Sequence, residues 1–149
     1  MKVLPEVGLE ISPDAALRFG MSRDDVRAVL GEPEQVNDDD GGDEGGAVVE
    51  AWYYWTRGIA LSFDEEVDWK LCAIEVTVAE AELDGQRPIG MTIEQARAAL
   101  SGAEIEWDGD EMEPAGVDAW SLNLWIEDDK ITSLQWSVGF DENDQENWP

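Results

Sequence analysis

The chain contains no histidine, which removes the commonest general base, the usual zinc ligand and any Ser–His or Cys–His nucleophile pair. Cys72 stands alone in an apolar alternating stretch. It has no internal disulfide partner and reads as a buried, inert thiol in a reducing, cytoplasmic setting. Carboxylate pairs can run acid–base chemistry on glycosides, but among 36 acids some pair always falls at a suitable spacing, so spacing singles none out. The acids from Asp38 to Glu44 and the group Asp108, Asp110, Glu111 and Glu113 lack the Asp-x-Asp-x-Asp-Gly register of a calcium loop. The glycines between 41 and 46 lack the lysine and following helix of a phosphate cradle. No catalytic, cofactor-binding or metal-ligating residue is therefore expected, and the chain reads as non-catalytic.

Aromatic side chains offer a different chemistry, that of recognition. Trp52, Tyr53, Tyr54 and Trp55 follow one another in a stretch with strand character, so their rings must project to both faces of any sheet that contains them. Ile59, Leu61 and Phe63 alternate with Ala60 and Ser62, and Ile74, Val76 and Val78 alternate with Ala73, Glu75 and Thr77. In the second half Leu122, Leu124, Ile126, Leu134, Trp136 and Val138 form the apolar set. That leaves Ser121, Asn123, Trp125, Ser133, Gln135 and Ser137 on the opposite face. A face of small and polar residues with a few aromatic rings is what a protein-binding surface looks like. The candidate partner-binding residues are thus Trp52, Tyr53, Tyr54, Trp55, Glu75, Asn123, Trp125 and Gln135.

The elements that would position them come from an internal repeat. Gly20-Met21-Ser22-Arg23-Asp24-Asp25-Val26-Arg27-Ala28-Val29-Leu30 matches Gly90-Met91-Thr92-Ile93-Glu94-Gln95-Ala96-Arg97-Ala98-Ala99-Leu100, with Gly, Met, Arg, Ala and Leu recurring. Each copy has a hydroxyl N-cap, Ser22 or Thr92, with an acid or amide three residues on. Thr92 to Gln95 fits the capping box, and Ser22 to Asp25 is a weaker variant of it. Gly31 with Pro33 stops the first helix, and Gly102 the second. Strand-like segments follow each helix, with hairpin connections too short for parallel crossovers. The expected fold is α+β: two tandem helix-plus-antiparallel-meander units, residues 1–80 and 81–149, with the helices packed on one face of the sheet. Residues 37–46 read as an acidic loop, and 141–149 as a polar tail with an isolated Trp148.

The net charge of −27, from 36 acids against 9 bases, is spread through the whole chain. Such a field repels nucleic acid and anionic membranes, speeds encounter with a basic partner and opposes self-association, so a monomer is expected. No secretory start and no membrane-spanning run is visible.

The run Gly20-Met21-Ser22, Val26, Leu30-Gly31, Pro33, then Trp52-Tyr53-Tyr54 and Leu61-Ser62-Phe63-Asp64, resembles the SmpA/OmlA-type domain of outer-membrane-assembly lipoproteins and the tandem units of beta-lactamase inhibitor protein (BLIP). Together the two units cover roughly residues 16–138. The resemblance implies a BLIP-like fold and recognition of another protein through a sheet face and its loops. It suggests a bacterial immunity or inhibitor protein that neutralises a basic toxin or enzyme. A structural adaptor in a high-salt cytosol, and a nucleic-acid mimic, are the alternatives.

Overall fold

The computed structural model describes residues 1–39, 48–140, 142–143 and 145–149. Strands β1 (Lys2–Leu4), β2 (Gly8–Ser12) and β3 (Ala15–Arg18) form a small antiparallel sheet in that order. Helix α1 (Arg23–Leu30) leads into β4 (Gln35–Asp39), β5 (Val49–Tyr54), β6 (Ile59–Asp64) and β7 (Lys70–Val76). Helix α2 (Ile93–Ala99) leads into β8 (Ala115–Val117), β9 (Leu122–Glu127) and β10 (Lys130–Ser137). A last short pair, β11 (Gly139–Phe140) and β12 (Glu146–Asn147), closes the chain.

The seven middle strands make one antiparallel sheet in the order β4-β5-β6-β7-β10-β9-β8. Two tandem helix-plus-meander units were the expectation, and this finding overturns it. The chain is mostly β, its two α-helices are only eight and seven residues long, and the strands merge into a single sheet rather than two α+β repeats. Two things hid this from the sequence. The seam between the halves is a direct pairing of β7 with β10, Ala73 opposite Ser137 and Val76 opposite Leu134, across a long connection that carries no local signal. The N-terminal sheet was unread because its hydrophobic alternation is broken at the β1–β2 turn. There Glu6 adopts φ 61°, and Gly8 lies so close to the backbone of β3 that any side chain would collide with the Leu17 carbonyl.

The repeated Gly-Met-Ser/Thr segments have a concrete local purpose. Gly20 N–H donates to Leu71 O (3.0 Å) and Leu71 N–H to Met21 O (2.9 Å). Gly90 and Met91 make the same exchange with Ile131, both bonds at 2.8 Å. Each helix entrance is thereby tied to a strand near a break in its register. Both capping boxes are complete: Ser22 Oγ accepts from Asp25 N (3.1 Å) and Thr92 Oγ1 from Gln95 N (3.2 Å), with the reciprocal bonds present. The Ser22 box is therefore as full as the Thr92 box. Helix α1 ends at Gly31 as expected, whereas α2 is already capped at Leu100, two residues before Gly102.

Val26 and Leu30 of α1 and Ile93, Ala96 and Leu100 around α2 join one core with Leu9, Leu17, Trp52, Leu61, Leu124 and Trp136. Trp148, expected to be isolated, is half-buried against that core, with Lys70 Nζ 5.2 Å from its ring centroid. Of the proposed acidic loop, residues 37–39 extend β4, and 40–46 lie outside the described residues.

Trp136 joins the parts: it is 1% exposed on β10, and its indole N–H donates to Gly8 O at 2.9 Å, binding the N-terminal sheet to the large one. We predict that Trp136→Ala lowers unfolding free energy by about 3–5 kcal/mol, a cavity cost typical of a buried tryptophan. Urea denaturation checks this, and a loss below about 1 kcal/mol would show that the site collapses around the missing ring.

Candidate protein-binding face

Because successive side chains alternate, the large sheet has one face committed to the core and one that is not. Trp52, Tyr54, Ile59, Leu61, Phe63, Ile74, Val76, Leu122, Leu124, Ile126, Leu134 and Trp136 are all buried on the first. Two of the candidate contact residues, Trp52 and Tyr54, are among them, so their proposed role as partner contacts is corrected. Trp52 is fully buried with the Arg27 guanidinium over its ring, and the Tyr54 hydroxyl donates to Gly31 O at 2.9 Å. Burial and the nearby Glu32 carboxylate push the Tyr54 phenol up to about 12. Both serve the seat of α1.

On the other face, four of the remaining candidates fall on a single cross-strand row. Tyr53 is opposite Ala60, Ala60 opposite Glu75, Glu75 opposite Gln135, and Gln135 opposite Asn123. The next row is small throughout: Ala51, Ser62, Ala73 and Ser137. Small residues in the middle and larger ones at the sides make a shallow groove that crosses the β7–β10 seam. It contains three adjoining hollows of about 130, 150 and 170 Å³. One wall is aromatic. Trp55 lies in a single 3-10 turn, Trp55–Arg57, closed by Gly58 at φ 66°, where an added Cβ would stand 2.6 Å from Val78 Cγ1. That turn folds the Trp55 ring back onto Tyr53 in a stacked pair, centroids 4.6 Å apart and planes 9° from parallel. Its indole N–H is held by Gln35 Oε1 at 3.2 Å. Trp55 nevertheless stays 59% exposed. Across the seam, Trp125 is half-buried, its indole N–H on Gln135 Oε1 at 3.0 Å. Ser133, expected to be open, is buried opposite Trp125.

Glu75 sits in the middle. No hydrogen bond or salt bridge of its carboxylate is formed among the described residues, and desolvation raises its pKa above the ordinary glutamate value. Arg23 and Arg27 lie on the other, covered side of the sheet and are engaged there. Arg23 bonds Glu50 (3.2 Å) and lies over Trp69, while Arg27 bonds Asp24 (3.0 Å) and Glu32 (3.2 Å). These two arginines line a larger hollow of about 420 Å³ at the start of α1, but their charges are already met, so it offers an anion little. The Cys72 thiol is pushed up to about 11 by burial and by Asp64 and Glu146, so it stays protonated and unreactive near neutrality. Acids flagged at 108–113 work as turn braces: Asp108 accepts from Asp110 N and Glu111 from the Asp128 and Asp129 amides of the β9–β10 turn. Among the described residues no group of three or more His, Cys, Asp or Glu is gathered as metal ligands would be.

Sequence reasoning put Ala60, Ser62, Ala73 and Ser137 on this face without naming them as contacts, and missed Ala51 and Gln35. Ala51 sits within the run of aromatic residues whose phase was unread, and Gln35 lay in what read as the approach to an acidic loop.

No family model and no curated protein matches the chain. Among solved structures, it is similar to an extracellular protein containing a SCP domain from Bacillus anthracis, with 17% identity and a TM-score of 0.53. The match covers 87% of this chain and 47% of that one, so the chain spans about half the length of its structural neighbour. At that identity the likeness concerns the fold alone. No helix among the described residues is long and apolar enough to cross a membrane.

A raised carboxylate has a definite thermodynamic sign. With its native pKa above the unfolded value, the folded state binds more protons between the two, so stability falls as pH rises through that window. Glu75→Gln removes the charge and the slope with it. We predict that the variant melts higher than the parent at pH 7 and that the two curves converge as pH falls below the ordinary glutamate range. Calorimetry across that range checks it; a lower melting temperature for Glu75→Gln at pH 7 would mean the carboxylate is stabilised by a contact in solution.

Proposed function

We propose that the protein is a non-catalytic binding protein that holds a basic partner protein in the groove of its large sheet, in the manner of an immunity or inhibitor protein. One observation carries this reading: a half-buried carboxylate with no counter-charge among the described residues, beside a stacked aromatic pair, in a chain of net charge −27. The hollows along the groove are smaller than the roughly 300–1,000 Å³ of sites that enclose a small molecule or cofactor. Side chains projecting from a protein surface suit them better. Aromatic residues around a partly desolvated centre are also the composition from which interface hot spots are drawn. The reading requires a basic surface on the partner and no disulfide in this chain, so it holds in any compartment.

The test is capture from the lysate of the encoding cell, using the immobilised protein, Ala73→Arg in the groove floor, and Glu94→Arg on the exposed side of α2. The parent and Glu94→Arg are expected to retain the same basic protein, and Ala73→Arg to lose it. Equal retention by all three would move the interface off this face. The purified complex should also weaken steeply as salt rises, because ions screen such a field over about 8 Å at physiological strength. A flat response in a salt series would assign recognition to apolar contact instead.

A further inference from the structure

We propose that the slot between Tyr53 and Glu75, floored by Ala60, receives one arginine side chain of the partner, stacked on the Tyr53–Trp55 pair and ion-paired with Glu75. The inference rests on the sheet-face reading above and specifies what that face recognises. Tyr53, Trp55, Ala60 and Glu75 line the same hollow of about 130 Å³. Since Ala60 stands between Tyr53 and Glu75 on the row, the two flanking strands are two strand spacings apart, about 10 Å. A methyl group between them leaves that width open above the sheet.

The chemistry of the walls selects the occupant. An aromatic face attracts cations, and a flat guanidinium stacks on it while its edge donates two parallel hydrogen bonds to a carboxylate. An ammonium pairs with Glu75 as a point charge but cannot also stack as a plane. The wall is assembled before any ligand arrives, since Trp55 is already stacked and already held by Gln35. The chain itself uses the same combination twice on its covered side. Arg23 lies 4.6 Å from the Trp69 centroid while bonded to Glu50, and Arg27 lies 4.7 Å from the Trp52 centroid while bonded to Asp24 and Glu32. At Tyr53, Trp55 and Glu75 the aromatic and acidic parts of that arrangement are present, and no described residue supplies the cation. Desolvation of Glu75 sharpens the preference, because a charge partly removed from water gains more from a partner than an exposed one does.

The experiment uses the intact ¹⁵N-labelled chain and capped tripeptides, acetyl-Gly-Arg-Gly-amide against the same peptide with citrulline or lysine at the centre. The arginine peptide is expected to shift the Trp55 indole resonance and the Ala60 and Glu75 amides saturably. Citrulline, equal in shape but neutral, is expected to leave them in place, and lysine to bind at least about threefold more weakly. Glu75→Gln and Tyr53→Ala should each weaken the arginine peptide at least about fivefold, with the remaining resonances reporting that the fold is kept. Citrulline acting as well as arginine, or shifts scattered over the acidic surface and unchanged in Glu75→Gln, would overturn the slot. A silent slot combined with loss of the partner in Ala73→Arg would overturn the arginine assignment alone. Peptide binding combined with a partner retained by both Ala73→Arg and Glu75→Gln would instead overturn the sheet-face reading that gives the slot its role.

Discussion

An antiparallel strand sends successive side chains to opposite faces, and seven strands held in register leave no freedom over which aromatic rings are buried. Trp52 and Tyr54 enter the core because Leu61 and Ile59 stand opposite them; Tyr53 is excluded because it stands opposite Ala60. A slip of one residue in β5 would exchange the two sets, burying the groove wall and exposing the seat of α1. Helix placement depends on the same register, since the Gly20-Met21 and Gly90-Met91 ties reach the strands at Leu71 and Ile131, where the pairing is irregular. The groove and the core are thus two sides of one pairing pattern.

How far the sequence could be read follows from how local each signal is. Alternation within single strands correctly sorted Leu122, Leu124, Ile126, Leu134 and Trp136 from Asn123, Trp125 and Gln135, because strand period is written in neighbouring residues. Capping boxes at Ser22 and Thr92 were legible for the same reason. The phase of the run from Trp52 to Trp55 was not, since all four are large and aromatic and only the partner strand decides which pair turns inward. Ser133 keeps the face that strand period gives it, opposite Trp125, but is buried there; the register shift between Ile131 and Ser133 instead turns Ile131 into the core, out of step with a continuous count. The single sheet was missed because its seam joins distant segments, and the duplication around the helices drew attention to similarity rather than to connection. Strand period alone placed Glu75, Asn123, Trp125 and Gln135 on the open face, while Tyr53 and Trp55 were not separable from Trp52 and Tyr54 without the fold.

The distribution of charge has its own logic. With nine bases among so many acids, each cation is a scarce structural resource. Arg23 and Arg27 are both placed at the start of the large sheet's helical cover, where they bridge α1 to Glu50 and to the Trp52 and Trp69 rings. Asp108, Asp110 and Glu111 are likewise occupied in holding turns through backbone amides. What distinguishes Glu75 is position rather than sign: it is an interior point of a sheet face, partly desolvated, among neutral neighbours on its row.

The seam between β7 and β10 also sets the order in which this molecule can assemble. The β5–β6, β6–β7 and β9–β10 hairpins close between near neighbours in the chain, whereas pairing Ala73 with Ser137 requires the intervening segment, α2 included, to be gathered first. Contacts between distant residues pay loop-closure entropy before they are rewarded and form slowly. Since Glu75 stands on one side of that seam and Gln135 on the other, the groove comes into being only when the slowest contact closes. A chain in which that contact is still open can carry its local hairpins but not the groove, so the state of this face reports whether folding is complete.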